Sequence, residues 1–76
     1  MKAYVFVNVA AGKSAAVVKR MRANKGVKSA DICWGLPDII ALVEVVDLRS
    51  LQELVVNKLQ KLAGVTQTDT HIVWGS

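Results

Sequence analysis

Apolar and polar residues alternate from Ala3 to Val9. Ala3, Val5, Val7 and Val9 fall on one side, with Tyr4, Phe6 and Asn8 between them, before Ala10, Ala11 and Gly12 end the run. This period of two predicts a strand. From Lys13 to Asn24 the period lengthens: Val17, Val18 and Met21 recur at helical spacing opposite the cations, and Gly26 stands just beyond as a stop, predicting an amphipathic helix. Val27 to Trp34 predicts a second, more polar strand carrying Lys28, Ser29 and Asp31, broken by Gly35-Leu36-Pro37. A strongly apolar third strand follows over Asp38 to Val46, with Glu44 the only charge inside it. Asp47 and Ser50 can each cap a second helix, and Ser50 with Glu53 makes a capping box. Leu48, Leu51, Leu54, Val55, Leu59 and Leu62 form its buried stripe and Gly64 terminates it. Val65 to Trp74 predicts the last strand.

The order is β-α-β twice over, joined by a tight turn between the second and third strands. That is the pattern of an α+β, ferredoxin-like βαββαβ sandwich with a four-stranded antiparallel sheet. The first and third strands then lie at its centre and the more polar second and fourth at its edges, where polar groups can face water. The central strands are apolar on both faces: Ile39, Ala41, Val43 and Val45 point one way, Ile40, Leu42 and Val46 the other. Two helices on right-handed crossovers cover one face only. The other needs a partner, most simply a second copy packed sheet to sheet.

Length points the same way. At 76 residues the chain is read as one domain, 1–76, and it buries only ~60% of the surface its unfolded form exposes. Disulfides, a metal or oligomerisation commonly stabilise so small a domain. One cysteine, Cys33, makes no internal disulfide, and one histidine, His71, makes no zinc site. Oligomerisation is left. No metal or cofactor is expected. The lone thiol and the absence of a signal-peptide pattern suggest the cytoplasm, and no stretch reaches the roughly 18 to 20 apolar residues of a membrane span.

The net charge of +4 is unevenly spread. Lys13, Lys19, Arg20, Arg22, Lys25 and Lys28 are six of the ten basic residues, with no acid between Lys13 and Lys28. The patch reads as a solvated helix face, since nucleic-acid modules interleave such charges with aromatics and this segment has none. "AAGKS" resembles only the tail of a phosphate-binding loop, because Val7 stands where the earlier glycine is required. Neither His71 nor Cys33 has the surroundings of a catalytic group; Cys33 reads as a buried thiol within a strand. Trp34 and Trp74, near edge-strand ends, read as finishing a core or an interface. Thr66, Thr68 and Thr70 share one face of the last strand, with Gln67, Asp69 and His71 on the other. Such hydroxyls can hydrogen-bond a carboxylate, and threonine equally suits an edge strand.

"GLPDIIALVEVVDLRSLQELVVNKLQKLAGVTQTDTHIVWG", with its Gly-x-x-Asp turn, leucine-rich helix, Gly64-Val65 junction and Thr68-x-Thr70 spacing, resembles the effector-binding (RAM) domain of the Lrp/AsnC transcriptional regulators. The likeness runs over essentially the whole chain. With no room for the family's helix-turn-helix, the chain is expected to be a stand-alone effector domain without direct DNA binding. The resemblance implies a ferredoxin-like fold, sheet-to-sheet homodimers assembling further, up to octamers, and a small effector, typically an amino acid, held between dimers. A full-length Lrp/AsnC regulator is an implied partner for transcriptional control. Carried over by position, it implies a ligand site at Gly35, Leu36, Pro37 and Asp38 of the turn and at Thr68 and Thr70. Asp38 suits an ammonium group, while hydroxyls and backbone N–H groups suit a carboxylate. Pro37 departs from that scheme because it has no N–H to donate.

Two other classes remain open on sequence alone. A small dimeric ferredoxin-like enzyme, of oxygenase or isomerase type, would need an ionisable cluster, for which only the scattered Asp31, Glu44 and His71 are available. A nucleic-acid binder would use the Lys13 to Lys28 face directly, with strong salt dependence.

Overall fold

The computed structural model describes residues 1–75. The chain runs β1 (Lys2–Val9), α1 (Ser14–Arg22), β2 (Val27–Ile32), β3 (Ile39–Glu44), α2 (Leu48–Asn57), a 3₁₀ turn (Leu59–Lys61) and β4 (Val65–Ile72). The strands form one antiparallel sheet in the order β2-β3-β1-β4. The two apolar strands are thus central and the two polar ones are edges, as their composition predicts.

Alternation sorts the side chains into layers. Ala3, Val5 and Val7 of β1 and Ile39, Ala41 and Val43 of β3 are wholly buried, in one cluster with Val17, Val18 and Met21 of α1 and Leu51, Leu54 and Val55 of α2. The other face of the same strands carries no helix among the described residues: Tyr4 is 44% exposed, and Phe6, Ile40 and Leu42 are half-buried.

The boundaries differ from the sequence expectation in instructive ways. Asp47, not Ser50, caps α2: its Oδ1 accepts from the Ser50 N–H at 2.8 Å. Glu53 accordingly makes no capping box, and accepts from Asn57 Nδ2 at 3.0 Å. The helix ends at Asn57 rather than running to Gly64, since Lys58 leaves helical geometry at φ −121°, ψ −65°. The 3₁₀ turn lets Leu59 still reach the core at 1% exposure, whereas Leu48, at the other end of the predicted stripe, is 51% exposed. β2 stops at Ile32, so Cys33, half-buried, and Trp34, fully exposed, lie outside the strand. Trp74 is also exposed. Neither indole completes the core of this chain.

Gly64 marks a close approach of two connections. Its φ is +100°, its carbonyl accepts from Ala10 N–H at 2.8 Å, and a Cβ there would lie 3.0 Å from Lys13 Cβ. Glycine alone meets both conditions without strain.

Candidate functional site

The β2–β3 connection is closed by the Cys33 N–H, which donates to the Asp38 carbonyl at 2.8 Å. Between them Gly35 takes φ +101° and the Leu36–Pro37 peptide is cis. Leu36 is thrust into solvent at 83% exposure, while Asp38 turns inward. Its Oδ2 accepts from the Val9 N–H at 2.8 Å. The reason is local: the β1–β3 ladder ends at the Val7–Ile39 pair, and the Val9 N–H, which points to the β3 side, lies beyond it without a ladder acceptor. Asp38 supplies the missing acceptor and moors the turn to β1.

On the open face, Leu36 and Pro37 meet Phe6, Asn8, Gln67 and Asp69 around a hollow of about 230 Å³. The strand pairing Phe6 to Asp69 and Asn8 to Gln67 puts these groups side by side. The Asn8 Oδ1 is buried here without a hydrogen-bond partner. Asp69 Oδ2 lies 3.0 Å from His71 Nε2, and the His71 ring is 4.8 Å from that of Phe6, tilted by 45°.

Thr68 and Thr70 pair with Val7 and Val5, whose side chains face the helices, so both hydroxyls belong to the helix-bearing face of the sheet. Thr68 Oγ1 accepts from Gln60 Nε2 at 2.8 Å. Thr70 borders a separate hollow of about 260 Å³ beside Leu48, Val56, Gln60 and Ile72. Within one chain, then, Gly35, Leu36 and Pro37 are together, Asp38 is turned towards β1, and the threonines stand on the far face. Phe6, Asn8, Gln67, Asp69 and Gln60 are neighbours that sequence reasoning did not select. The alternation held a signal for the first four, but only the register joins β1 to β4. Gln60 had none, because it comes from the irregular turn after α2.

Asp31, Glu44 and His71 do not converge. Asp31 lies 3.9 Å from Arg22 at the surface, Glu44 ends β3 and His71 faces Asp69.

A family model for the Lrp/AsnC ligand binding domain matches residues 2–76. The chain belongs to that family. Solved structures share the fold of this Lrp/AsnC domain over nearly all of it. A hypothetical protein from Pyrococcus horikoshii is 29% identical, with 99% of this chain and 90% of that one covered and a TM-score of 0.90. AsnC of E. coli is 20% identical, with 99% of this chain and 51% of that one covered and a TM-score of 0.91. A transcriptional regulator from Neisseria meningitidis, solved as an L-Met complex, is 20% identical, with coverages of 97% and 49% and a TM-score of 0.86. The chain therefore spans about half the length of these two regulators and most of the archaeal protein. No curated protein sequence matches it. Among the described residues, no helix is long and apolar enough to cross a membrane.

Proposed function

We propose that this Lrp/AsnC domain is a non-enzymatic, cytoplasmic ligand-sensing module that binds a small amino acid between dimers and modulates transcription through partner regulators. The family match and the L-Met bound to the regulator from N. meningitidis support that ligand class. One observation carries the reading. Gly35, Leu36 and Pro37 lie beside the open face of the sheet and Thr68 and Thr70 on the other, so one small ligand touches both sets only where two chains meet.

Assembly follows from the same surface. The half-exposed face formed by Tyr4, Phe6, Ile40 and Leu42 is apolar, and a second copy packed against it removes that surface from water at roughly 25 cal/mol per Å². Dimers then join further, octamers included, and a full-length Lrp/AsnC regulator is a natural co-assembly partner. In the ligand site Asp38 retains an oxygen beyond the one engaged by Val9, available to an ammonium group. The Thr68 and Thr70 hydroxyls are offered by the neighbouring dimer to the carboxylate. Pro37 offers no N–H, which shifts carboxylate recognition to the hydroxyls.

A thermal-shift screen of the common amino acids, with light scattering on the same samples, tests this. One amino acid should raise the unfolding temperature, since a ligand at 100 times its Kd adds about 2.7 kcal/mol of apparent stability, and the mass should be that of a dimer or larger. A monomer at micromolar concentration, or a flat response to every amino acid, would overturn the reading.

A further inference from the structure

The far end of the sheet holds another concavity, of about 550 Å³. It borders α2 from Arg49 in the first turn to Lys58 just beyond the end, and its opposite wall brings in Lys25 and Lys28. Four cations from separate segments thus converge, against two carboxylates, Glu44 and Glu53. None of the four is in an ion pair among the described residues. The ion pairs among the described residues are Arg22 with Asp31 and His71 with Asp69, and Glu53 is engaged by Asn57.

Two backbone features shape the site. The β2–β3 register shifts between Val27 and Ser29, making Lys28 the extra residue of a bulge. Bulges re-aim a side chain that regular alternation would send elsewhere, and here Lys28 joins the cavity wall. Gly26, at φ +99°, leaves bare backbone at the cavity, where a Cβ would come within 3.3 Å of Leu54 Cδ2 and 3.5 Å of Val45 Cγ1. Val45, Val46 and Leu54 add an apolar wall beside the charges.

Like charges gathered in a concave surface focus a positive field that draws in anions. A volume of this size lies within the roughly 300 to 1,000 Å³ of small-molecule sites. We propose that the cavity binds a phosphorylated small molecule of nucleotide size. Its phosphates lie against Lys25, Lys28, Arg49 and Lys58, with Arg49 able to grip two oxygens at once. The uncharged part packs on Val45, Val46 and Leu54, and Glu44 and Glu53 accept from hydroxyl or amino groups of the ligand. The site is independent of the amino-acid reading: the turn at Asp38 and the cavity at Glu44 sit at opposite ends of β3, roughly 20 Å apart at about 3.3 Å per residue.

Calorimetry with ADP as probe tests the assignment. One ADP per chain should bind, more tightly than pyrophosphate, with affinity falling as salt rises. Lys28→Ala with Arg49→Ala should weaken it by roughly tenfold or more, the loss expected for a charged hydrogen bond. Lys19→Ala with Arg20→Ala, on the exposed face of α1, should leave ADP binding and fold unchanged, and the first pair should leave any amino-acid thermal shift intact. Absence of ADP binding, equal losses in both double variants, or binding of oligonucleotides without ADP would overturn the proposal.

Discussion

The carboxylate of Asp38 accepts a 2.8 Å hydrogen bond from the backbone N–H of Val9, joining segments 29 residues apart. The acid predicted to meet a ligand therefore also has a task inside the protein. Asp38→Ala should leave the half-buried Val9 donor without an acceptor and cost about 1 to 3 kcal/mol in urea unfolding. Asp38→Asn, whose amide oxygen can still accept, should recover part of it. Loss of an amino-acid response in Asp38→Ala with normal unfolding would instead assign the residue to the ligand alone.

Asp47 gives a pH dependence with a defined sign. The Ser50 backbone N–H, and secondarily its hydroxyl, hold the Asp47 carboxyl below its usual 3.8, against an opposing effect of desolvation. A depressed carboxyl contributes stability that is complete above its unfolded pKa and fades as pH falls through the folded one. Asp47→Ala should lower the urea midpoint at neutral pH, and the gap from wild type should begin to narrow as pH falls below about 4. A gap unchanged at pH 3 would show that the cap acts without its charge.

Two glycines with positive φ should respond differently to alanine. At Gly64 the new Cβ would sit 3.0 Å from Lys13 Cβ and 3.2 Å from Val17 Cγ2, while at Gly12, φ +77°, nothing lies within 4 Å. Gly12→Ala should cost only the left-handed backbone penalty, about 1 to 2 kcal/mol. Gly64→Ala should cost about 1 to 3 kcal/mol more through overpacking. Thermal unfolding of both variants checks the order.

Phe6 and Leu42 test whether the open face is buried by a second copy. Leu42→Asp places a charge there while leaving the wholly buried Val5 and Val43 layer intact. Light scattering should show the variant's mass falling to that of one chain, with helical circular dichroism retained. Phe6→Asp should do the same. Assembly undisturbed by both would move the interface elsewhere.

Alternation placed β1, because Ala3, Val5 and Val7 must all face one way to be buried. β2 and β3 were instead legible from polarity and the intervening Gly-Leu-Pro break, with expected ends extending past the observed strands. Helix ends were less legible. Leu59 keeps the helical spacing of Leu51 and Val55, yet reaches the core from a 3₁₀ turn, and no local pattern separates the two routes. Asp47 and Ser50 are equally good caps by composition, and geometry alone chose between them. The end of the β1–β3 ladder, which leaves the Val9 N–H to Asp38, and the bulge that redirects Lys28 were equally invisible. The basic run from Lys13 to Lys28 read as one helix face; in three dimensions Lys25 and Lys28 leave α1 and join Arg49 and Lys58 across the cavity. Contacts set by pairing register and loop path leave little trace in short windows of sequence.

Trp34 and Trp74, both nearly stripped of cover, make the protein its own optical probe. Trp34 stands beside the turn, while Trp74 follows Val73, whose N–H is bound to the Lys2 carbonyl at the other end of β1. Emission from each indole should shift to the blue when its own end of the molecule becomes dry. With one of the two changed to phenylalanine, fluorescence alone would report which end a ligand or a neighbouring chain has closed.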